Sequence, residues 1–422
     1  MFSLFDLTAM LLTLSALFGW MNHKFLPLPH SIGLLVISIA VSIVLVGIDL
    51  AFPRQHLFES LTGTLFQIDF SQVVMNGMLA FLLFAGALHL DITRLRRRGL
   101  QVAILAFAGT LISTVVVGCA FWGAAAMLGI FMPLAWALVF GALISPTDPV
   151  AVMSTLKNAK VSPDLEIELQ GESLFNDGIG IVLFTVLLRF AMGTDATQTS
   201  TFAIAELLVV ETGGGIMLGL TAGYIAFWGM RLIDDYPVEI LISLALVTAT
   251  YAVAQRLHVS GPLSMVAAGL LIGNRGPRYA MSDRTQGYLF GLWTVIDEIL
   301  NSVLFLLIGL EVLVLSFNRV SLDLAAVAIP IVLLGRLLGV SLPLLVFGWR
   351  RPMSLWNVAF LTWAGIRGGI SVALALSLPE GSAKPGILPG TYAVVLFSII
   401  VQGLTLERVA KRSVGISSED AK

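Results

Sequence analysis

Two short stretches, Ser145–Pro149 (SPTDP) and Gly171–Gly178 (GESLFNDG), place acids inside hydrophobic segments of the chain. A charged side chain costs free energy in the apolar part of a bilayer, so an acid within a membrane helix is a candidate functional residue. The first stretch also holds prolines, which interrupt helices, and the second holds serine and asparagine beside its acids. The combination predicts a site for a small cation.

The composition is typical of a polytopic helical membrane protein. Of the 422 residues, 57% are hydrophobic and 12% are charged, and the mean hydropathy is +0.94. Soluble domains have about 25% charged residues. The net charge of -2 gives no sign of a nucleic-acid partner. The single cysteine, Cys119, can form no internal disulfide, and the histidines have no metal-site spacing, so no cofactor is expected.

Hydropathy predicts an all-α polytopic membrane protein with thirteen transmembrane helices. The segment 51–69 has mixed polarity and is expected to be an outer loop or an interfacial helix. The thirteen spans, numbered in chain order, are expected near residues 4–21, 31–50, 70–90, 100–128, 134–157, 165–191, 203–230, 237–255, 261–273, 290–316, 323–347, 354–377 and 388–406.

The distribution of positive charge predicts the orientation of these spans. With the N-terminus outside, seventeen of the 24 Lys and Arg residues fall in inner loops and five in outer loops. The other two, Arg336 and Arg367, lie within spans. Because inner loops are enriched in Lys and Arg, we expect a periplasmic N-terminus in a bacterial inner membrane. The C-terminus, with a short tail over 407–422, is expected in the cytoplasm.

Spans 5 and 12 are expected to be broken in mid-membrane and to cross. Thirteen spans divide into two inverted repeats of six helices joined by one, which makes span 5 the counterpart of span 12. Pro146 and Pro149 interrupt span 5, and Trp363–Ile370 (WAGIRGGI) brings three glycines to span 12. Interrupted spans at matching places in inverted repeats indicate the binding site of a transporter. Asp148 and Arg367 put a charge at each break.

Span 6 carries a polar face, which falls within an arc of about 140° on a helix and consists of Glu172, Ser173, Asn176 and Asp177. Hard cations bind oxygen ligands, and Asp177 and Ser173 supply a carboxylate and a hydroxyl. An unwound span 5 would add backbone carbonyls near Thr147, with Asp148 close by. The prediction is therefore a sodium ion at Asp177. This set offers no nitrogen or sulfur ligand for a transition metal.

Asp177 is also expected to exchange protons, because burial away from water favours the neutral form of a carboxyl group. A proton and a sodium ion would then compete for one carboxylate. A carrier that moves only with one of them bound converts this competition into exchange. The neighbouring Asn176 is neutral, so the position holds a single acid, which predicts one charge carried in each direction.

The two arginines within spans need partners, because an unpaired charge in lipid is costly. Glu172 is the expected partner of Arg336, in a structural ion pair. Two alternatives are open for Asp297 and Glu298, which we expect near the start of span 10. They pair with Arg367 at the broken helix, or they line a funnel.

Short motifs make the chain resemble the monovalent cation/proton antiporter-1 family, and within it the bacterial NhaP-type sodium/proton antiporters. The motifs run in family order over nearly the whole chain, and GESLFNDG together with SPTDPV is the most specific pair. The matching pieces are Phe84–Leu90 (FAGALHL), Ser145–Val150 (SPTDPV), Gly171–Gly178 (GESLFNDG), Leu304–Glu311 (LFLLIGLE), Arg336–Val340 (RLLGV) and Gly365–Gly369 (GIRGG).

The resemblance implies a homodimer with a core domain around spans 3–6 and 10–13 and a dimerisation domain from spans 1–2 and 7–9. The chain departs from some archaeal members, which carry an ion-contacting glutamate in the third span where Ala85 stands here. The site positions that the resemblance implies are the ion- and proton-binding Asp177 supported by Asn176, the further ligands Thr147, Asp148 and Ser173, and the core-stabilising pair Glu172 and Arg336.

The predicted function is that of an electroneutral sodium/proton antiporter, which exchanges one Na⁺ or Li⁺ for one H⁺ by alternating access and is not an enzyme. Its expected partners are the bilayer and a second copy of the chain. A potassium/proton antiporter of the same fold stays open, because the sequence does not give a cavity radius. An intramembrane aspartyl hydrolase is a distant alternative, because it needs two acids at matched depth, which Asp148 and Asp177 could imitate. A channel is another alternative, and it needs a continuous pore.

Overall fold

Every element that the computed structural model describes is a helix, which confirms the all-α fold. The described residues are 4–51, 70–156, 163–193, 201–312, 319–346, 355–381 and 383–419. Most of the segment 51–69, predicted to be a loop or an interfacial helix, lies outside these ranges. So do several of the cations that predict the orientation, among them Lys157, Arg350 and Arg351.

Thirteen helical segments run through the described residues and follow the predicted spans in order. Ten of these are long and apolar enough to cross a membrane, and the exceptions are the first, ninth and twelfth. The count of thirteen crossings therefore stays a prediction. The segments are α1 (Leu4–Phe25), α2 (His30–Ala51), α3 (Phe70–Leu88), α4 (Ile92–Met127), α5 (Leu134–Ile144 and Pro149–Leu156), α6 (Pro163–Ala191), α7 (Thr201–Arg231), α8 (Tyr236–Leu257), α9 (Gly261–Tyr279), α10 (Asp283–Glu311), α11 (Arg319–Val346), α12 (Leu355–Trp363 and Gly369–Leu376) and α13 (Lys384–Phe397, Ser398–Gln402 and Gly403–Glu419).

The start of α10 lies earlier than hydropathy predicts. The helix begins at Asp283 rather than near residue 290, because Ser282 caps it by accepting a hydrogen bond from the Thr285 N–H over 3.4 Å. The polar first turn hides this start from a hydropathy plot. Asp297 and Glu298, expected near the beginning of the helix, therefore lie halfway along it.

Both α5 and α12 are broken, as the sequence predicts. The half-helix α5a (Leu134–Ile144) is followed by α5b (Pro149–Leu156), and α12a (Leu355–Trp363) by α12b (Gly369–Leu376). Proline lacks a backbone donor and clashes with the preceding turn, so Pro146 cannot continue α5a. Pro149 stands at the first position of α5b, where its fixed φ suits a helix start. The proline positions therefore set where α5 stops and restarts.

Small residues let α9 pack closely against α7 and α3. Gly215, Gly219 and Gly223 recur at every fourth position of α7, and a Cβ at the second of them would lie 2.1 Å from a backbone oxygen of α9. On α9, a Cβ at Gly273 would lie 2.0 Å from the carbonyl oxygen of Leu88 at the end of α3. Close backbone approach of this kind favours association of helices in lipid. Helix α9 thereby joins α7 to α3, while α6 packs on α5, and α11 packs on α4 and α13.

Candidate ion-binding site

The unwound parts of α5 and α12 lie directly against each other. The backbone N–H of Asp148 donates a hydrogen bond to the carbonyl oxygen of Ile366 over 2.7 Å. Gly368 allows this approach, because a Cβ there would lie 2.3 Å from Oδ2 of Asp148. Gly180 of α6 has the same role beside Pro146, whose ring carbon would lie 2.2 Å from an added Cβ. Neither glycine position has room for a side chain.

Asp148 caps the beginning of α5b. Its Oδ1 accepts hydrogen bonds from the backbone N–H groups of Val150 at 2.8 Å and Ala151 at 3.4 Å. The beginning of α12b lies beside the same carboxylate, because Gly368 immediately precedes that half-helix. The N-terminal end of a helix carries partial positive charge. One carboxylate therefore stabilises the starts of both half-helices.

Arg367 has the complementary position at the end of α5a. The residue is 1% exposed, and its Nη1 donates to the carbonyl oxygens of Ser145 and, over 3.0 Å, Pro146. The break leaves these carbonyls without intrahelical partners, and the end of a helix carries partial negative charge. The backbone N–H of Arg367 donates to Oγ of Ser398 on α13 over 3.0 Å. The guanidinium is thus held as a fixed positive charge at the crossing.

A hydrogen-bond network joins α6 to the unwound stretch of α5. The backbone N–H of Thr147 donates to Oδ1 of Asn176 over 3.2 Å, and Nδ2 of Asn176 donates to the Thr147 hydroxyl over 2.9 Å. The hydroxyls of Thr147 and Ser173 are hydrogen-bonded at 2.8 Å. An amide donates and accepts at once, whereas an ionised carboxylate only accepts. Asparagine rather than aspartate is therefore suited to holding both the backbone and the side chain of Thr147.

Asp177, the next residue on α6, lines a cavity and is 5% exposed. Its carboxylate makes no hydrogen bond to any residue that the structure describes, and the charged groups that interact with it are Asp148 and Arg367. A buried charge without hydrogen bonds is costly, so this group favours binding a proton or a cation. Thr147 lines the same cavity and has a hydroxyl and a carbonyl oxygen. Oxygen ligands of this kind suit a hard cation.

Glu172 and Arg336 form a bidentate ion pair in the protein interior. The Arg336 Nη2 donates to Oε2 of Glu172 over 3.0 Å, and Nη1 contacts Oε1. The two residues are 1% and 7% exposed. Nε and Nη2 of Arg336 also donate to the carbonyl oxygen of Leu361, in the last turn of α12a, at 3.3 and 3.2 Å. An arginine therefore meets the end of each first half-helix, Arg367 at α5a and Arg336 at α12a.

A cavity of about 520 Å³ reaches Asp177 between α2, α3 and α10. Its exposed rim includes His30 and His89, which are hydrogen-bonded to hydroxyls of α10, on Ser302 at 2.9 Å and Thr294 at 3.3 Å. Partial burial lowers the pKa of His89, which follows the end of α3, and so favours its neutral form. No Lys or Arg is found among the described residues that line the cavity. The cavity is therefore acidic, and its carboxylates are Asp148, Asp177, Asp297 and Glu298.

The residues that the sequence singles out fall into distinct groups. Thr147, Asp148 and Asp177 line the cavity, whereas Ser173 and Asn176 contact Thr147 without lining it. Glu172 and Arg336 pair with each other.

The acids halfway along α10 line the cavity, and no described ion pair joins them to Arg367. Of the two alternatives for Asp297 and Glu298, the funnel fits this arrangement. Ala85, which stands where some archaeal relatives have a glutamate, is fully buried in α3 and is not among the lining residues.

Ser398, which binds the backbone of Arg367, is a site residue that the sequence does not predict. The residue begins a π-helical turn of α13, Ser398–Gln402, and such widened turns are frequent at functional sites. A single serine in an apolar span is too common to attract notice. The signal that could have found it is its position in span 13, the counterpart of span 6 in the other repeat.

Two broken helices that cross in the protein interior, with their half-helix ends capped by charged side chains, are the architecture of secondary transporters built from inverted repeats. A family model described as "Sodium/hydrogen exchanger, transmembrane" matches residues 12–412. The chain therefore belongs to the sodium/hydrogen exchanger family, which confirms the resemblance found in its motifs.

Individual relatives cover nearly the whole chain. The Na(+)/H(+) antiporter NhaP of Pseudomonas aeruginosa is 43% identical over 412 residues, which is 96% of each protein. The Na(+)/H(+) antiporter NhaH of Halobacillus aidingensis is 35% identical and covers 88% of this chain and 91% of its own length. The solved structure of the sodium proton antiporter MjNhaP1 from Methanocaldococcus jannaschii at pH 8 has the same fold, with a TM-score of 0.73 at 21% identity. The match covers 96% of this chain and 97% of that one.

Proposed function

We propose that the chain is an electroneutral sodium/proton antiporter that exchanges one Na⁺ or Li⁺ for one H⁺ across a bacterial inner membrane. Asp177 carries this proposal, because it is a buried carboxylate that lines an acidic cavity and has no hydrogen bond to the described residues. Relatives that are 43% and 35% identical are Na⁺/H⁺ antiporters by name, which supports the same activity here.

The stoichiometry follows from which charges are free to exchange a ligand. Asp148 is engaged as the cap of α5b, and Arg367 is engaged at the end of α5a. Glu172 and Arg336 neutralise each other. Asp177 is then the acid of the crossing that binds either a proton or a sodium ion, so one charge moves in each direction.

In the proposed mechanism the binding site opens to one side of the membrane and then to the other, by alternating access. With a periplasmic N-terminus, α2 begins and α3 ends at the cytoplasmic side, so the cavity opens to the cytoplasm. A core domain of α3–α6 and α10–α13 would then move against a dimerisation domain of α1, α2 and α7–α9 within a homodimer. The tight crossing supports a rigid core, because its helix breaks are held by hydrogen bonds on several sides.

A potassium/proton antiporter is the alternative within the same fold. A cavity of about 520 Å³ has the volume for either hydrated ion, so the choice depends on the ligands around Asp177. An intramembrane aspartyl hydrolase fits the geometry less well. It needs two free acids, and the Asp148 carboxylate is already bound to the backbone of α5b.

Transport by the purified protein in proteoliposomes tests the proposal. With an imposed pH gradient, external Na⁺ or Li⁺ should move protons, as followed by a pH-sensitive dye inside the vesicles, and K⁺ should move few. A response to K⁺ alone would favour the alternative exchanger. No response to any of the three cations would contradict antiport altogether.

A further inference from the structure

The α10 wall of the cavity holds a polar group that the helix crossing does not use. Asp297 lines the cavity halfway along α10, and Asn301 lies one turn further on. Nδ2 of Asn301 donates to the backbone oxygen of Asp297 at 2.9 Å and to its Oδ1 at 3.1 Å. Asn301 is 6% exposed and lines the same cavity. The pair is therefore built into the wall rather than displayed on the surface.

These hydrogen bonds leave two oxygen atoms unused. The nitrogen of the Asn301 amide is committed to Asp297, and the amide oxygen has no hydrogen bond to any residue that the structure describes. Oδ2 of Asp297 is likewise without one. A carboxylate and an amide carbonyl are ligands that hard monovalent and divalent cations take. The Asn301 amide thus holds Oδ1 of Asp297 through its nitrogen. Its own oxygen remains available as a ligand beside that carboxylate.

Among the described residues, no positive side chain balances the charge of Asp297. The charged groups that interact with it are Asp148 and Glu298, both of which are acids. No described lining residue of the cavity is a Lys or Arg. A partly buried carboxylate among other carboxylates is costly without a counter-charge. A cation from solution is the counter-charge that this cavity can admit.

We propose that Asp297 and Asn301 form a second binding site for a monovalent cation, through which Na⁺ passes on its way between the cavity mouth and Asp177. The identity of the ion rests on the proposed function, whereas binding at this site does not require transport. Asp148 interacts electrostatically with both Asp177 and Asp297, which places the two sites within range of each other. An ion bound at either site screens the acids that attract an ion to the other site. Binding of one ion therefore weakens binding of the other.

Equilibrium binding of ²²Na⁺ to the full-length protein in detergent tests this site apart from transport. Asp177→Asn removes the inner carboxylate and should leave a weaker, saturable component. Adding Asp297→Asn should weaken this component by about tenfold or more, the loss expected with one charged ligand. Adding Glu298→Gln instead is the matched control. It removes the same charge from the next residue, which has no such amide beside it, and should change binding by less than about threefold.

A further variant keeps the test decisive if the loss of charge disturbs folding. Asp177→Asn with Asn301→Leu removes the amide oxygen and leaves all other charges in place, and it should weaken ²²Na⁺ binding in the same way. Equal binding by Asp177→Asn and by both variants that lose Asp297 or Asn301 would overturn the second site. So would an Asp177→Asn protein that binds no Na⁺. Failure of the proposed function is a different result, in which the unmodified protein moves no protons in response to Na⁺, Li⁺ or K⁺.

Discussion

Asp177 differs from the other buried acids of the crossing because its carboxylate has no hydrogen bond to the described residues. Asp148 caps a half-helix, and Glu172 is paired with Arg336, so both carboxylates are held by bonds within the protein. Asp177 has no such bond among the described residues. Exchanging a proton for a cation at this position would therefore break no internal contact, as the proposed mechanism requires.

Asp177→Asn should abolish cation-dependent proton movement and leave folding near normal. The amide keeps the shape of the side chain but can neither release a proton at physiological pH nor offer a charged ligand. Proton flux in proteoliposomes measures the loss, and the melting temperature of the solubilised protein checks the fold. Asp283→Asn, which removes an exposed acid at the start of α10, is the control and should transport normally. Appreciable exchange by Asp177→Asn would show that the ion binds elsewhere.

Glu172→Ala should destabilise the protein by about 3–5 kcal/mol, because it leaves the buried Arg336 without its carboxylate. Combining it with Arg336→Ala should recover part of that free energy. Recovery should be incomplete, since Arg336 also binds the carbonyl oxygen of Leu361. Melting of the two single variants and the double variant measures the coupling. A double variant no more stable than Glu172→Ala would contradict a structural role for the pair.

At the scale of elements, the crossing depends on helix ends that meet charged side chains. α5b and α12b begin at the carboxylate of Asp148, and α5a and α12a end at the guanidinium groups of Arg367 and Arg336. Partial charges at helix ends are strongest where no water screens them. Three of the four half-helix ends therefore meet a side chain from elsewhere in the fold, and α5b is capped by Asp148, the residue just before it.

Gly368→Ala should destabilise this crossing more than an alanine substitution at a glycine with open space around it. Its Cβ would lie 2.3 Å from Oδ2 of Asp148, so the carboxylate must leave its place between the two half-helices. A cost of about 1–3 kcal/mol is expected from overpacking of this kind, together with a large loss of exchange. Gly291→Ala on α10 is the matched control, because nothing lies within 4 Å of the added Cβ. Similar melting temperatures and transport rates for the two variants would contradict the tight crossing.

Much of this arrangement could be predicted from the sequence, because its signals are local. The prolines of the SPTDP stretch mark the break in α5, and the spacing of Glu172 and Asp177 puts them on one part of α6. The partners of Arg367 could not be predicted, because they are backbone oxygens exposed only when a distant helix unwinds. The depth of Asp297 could not be predicted either, because a polar first turn conceals where α10 begins.

At the scale of the whole molecule, the proposed mechanism moves no net charge, so membrane voltage should not change the exchange ratio. A potential acts on net charge alone, with about 2.3 kcal/mol per elementary charge per 100 mV. The measurement is the pH gradient that balances a given Na⁺ gradient in proteoliposomes, with valinomycin setting the potential to either sign. A balance point that shifts with voltage would show that a second proton moves, and Asp148 and Asp297 are the carboxylates to substitute next.

Arg367 follows Ser145, whose carbonyl it binds, by 222 positions along the chain. A ribosome that adds about 5–20 residues per second needs roughly 10 to 45 s to synthesise that length. During this interval α5a has been made, but its terminal carbonyls still lack the arginine that satisfies them. Such groups are not tolerated in contact with lipid. The nascent first repeat must therefore keep water, or the insertion machinery, at its break until the second repeat emerges, so that a helix translated much later completes the first repeat.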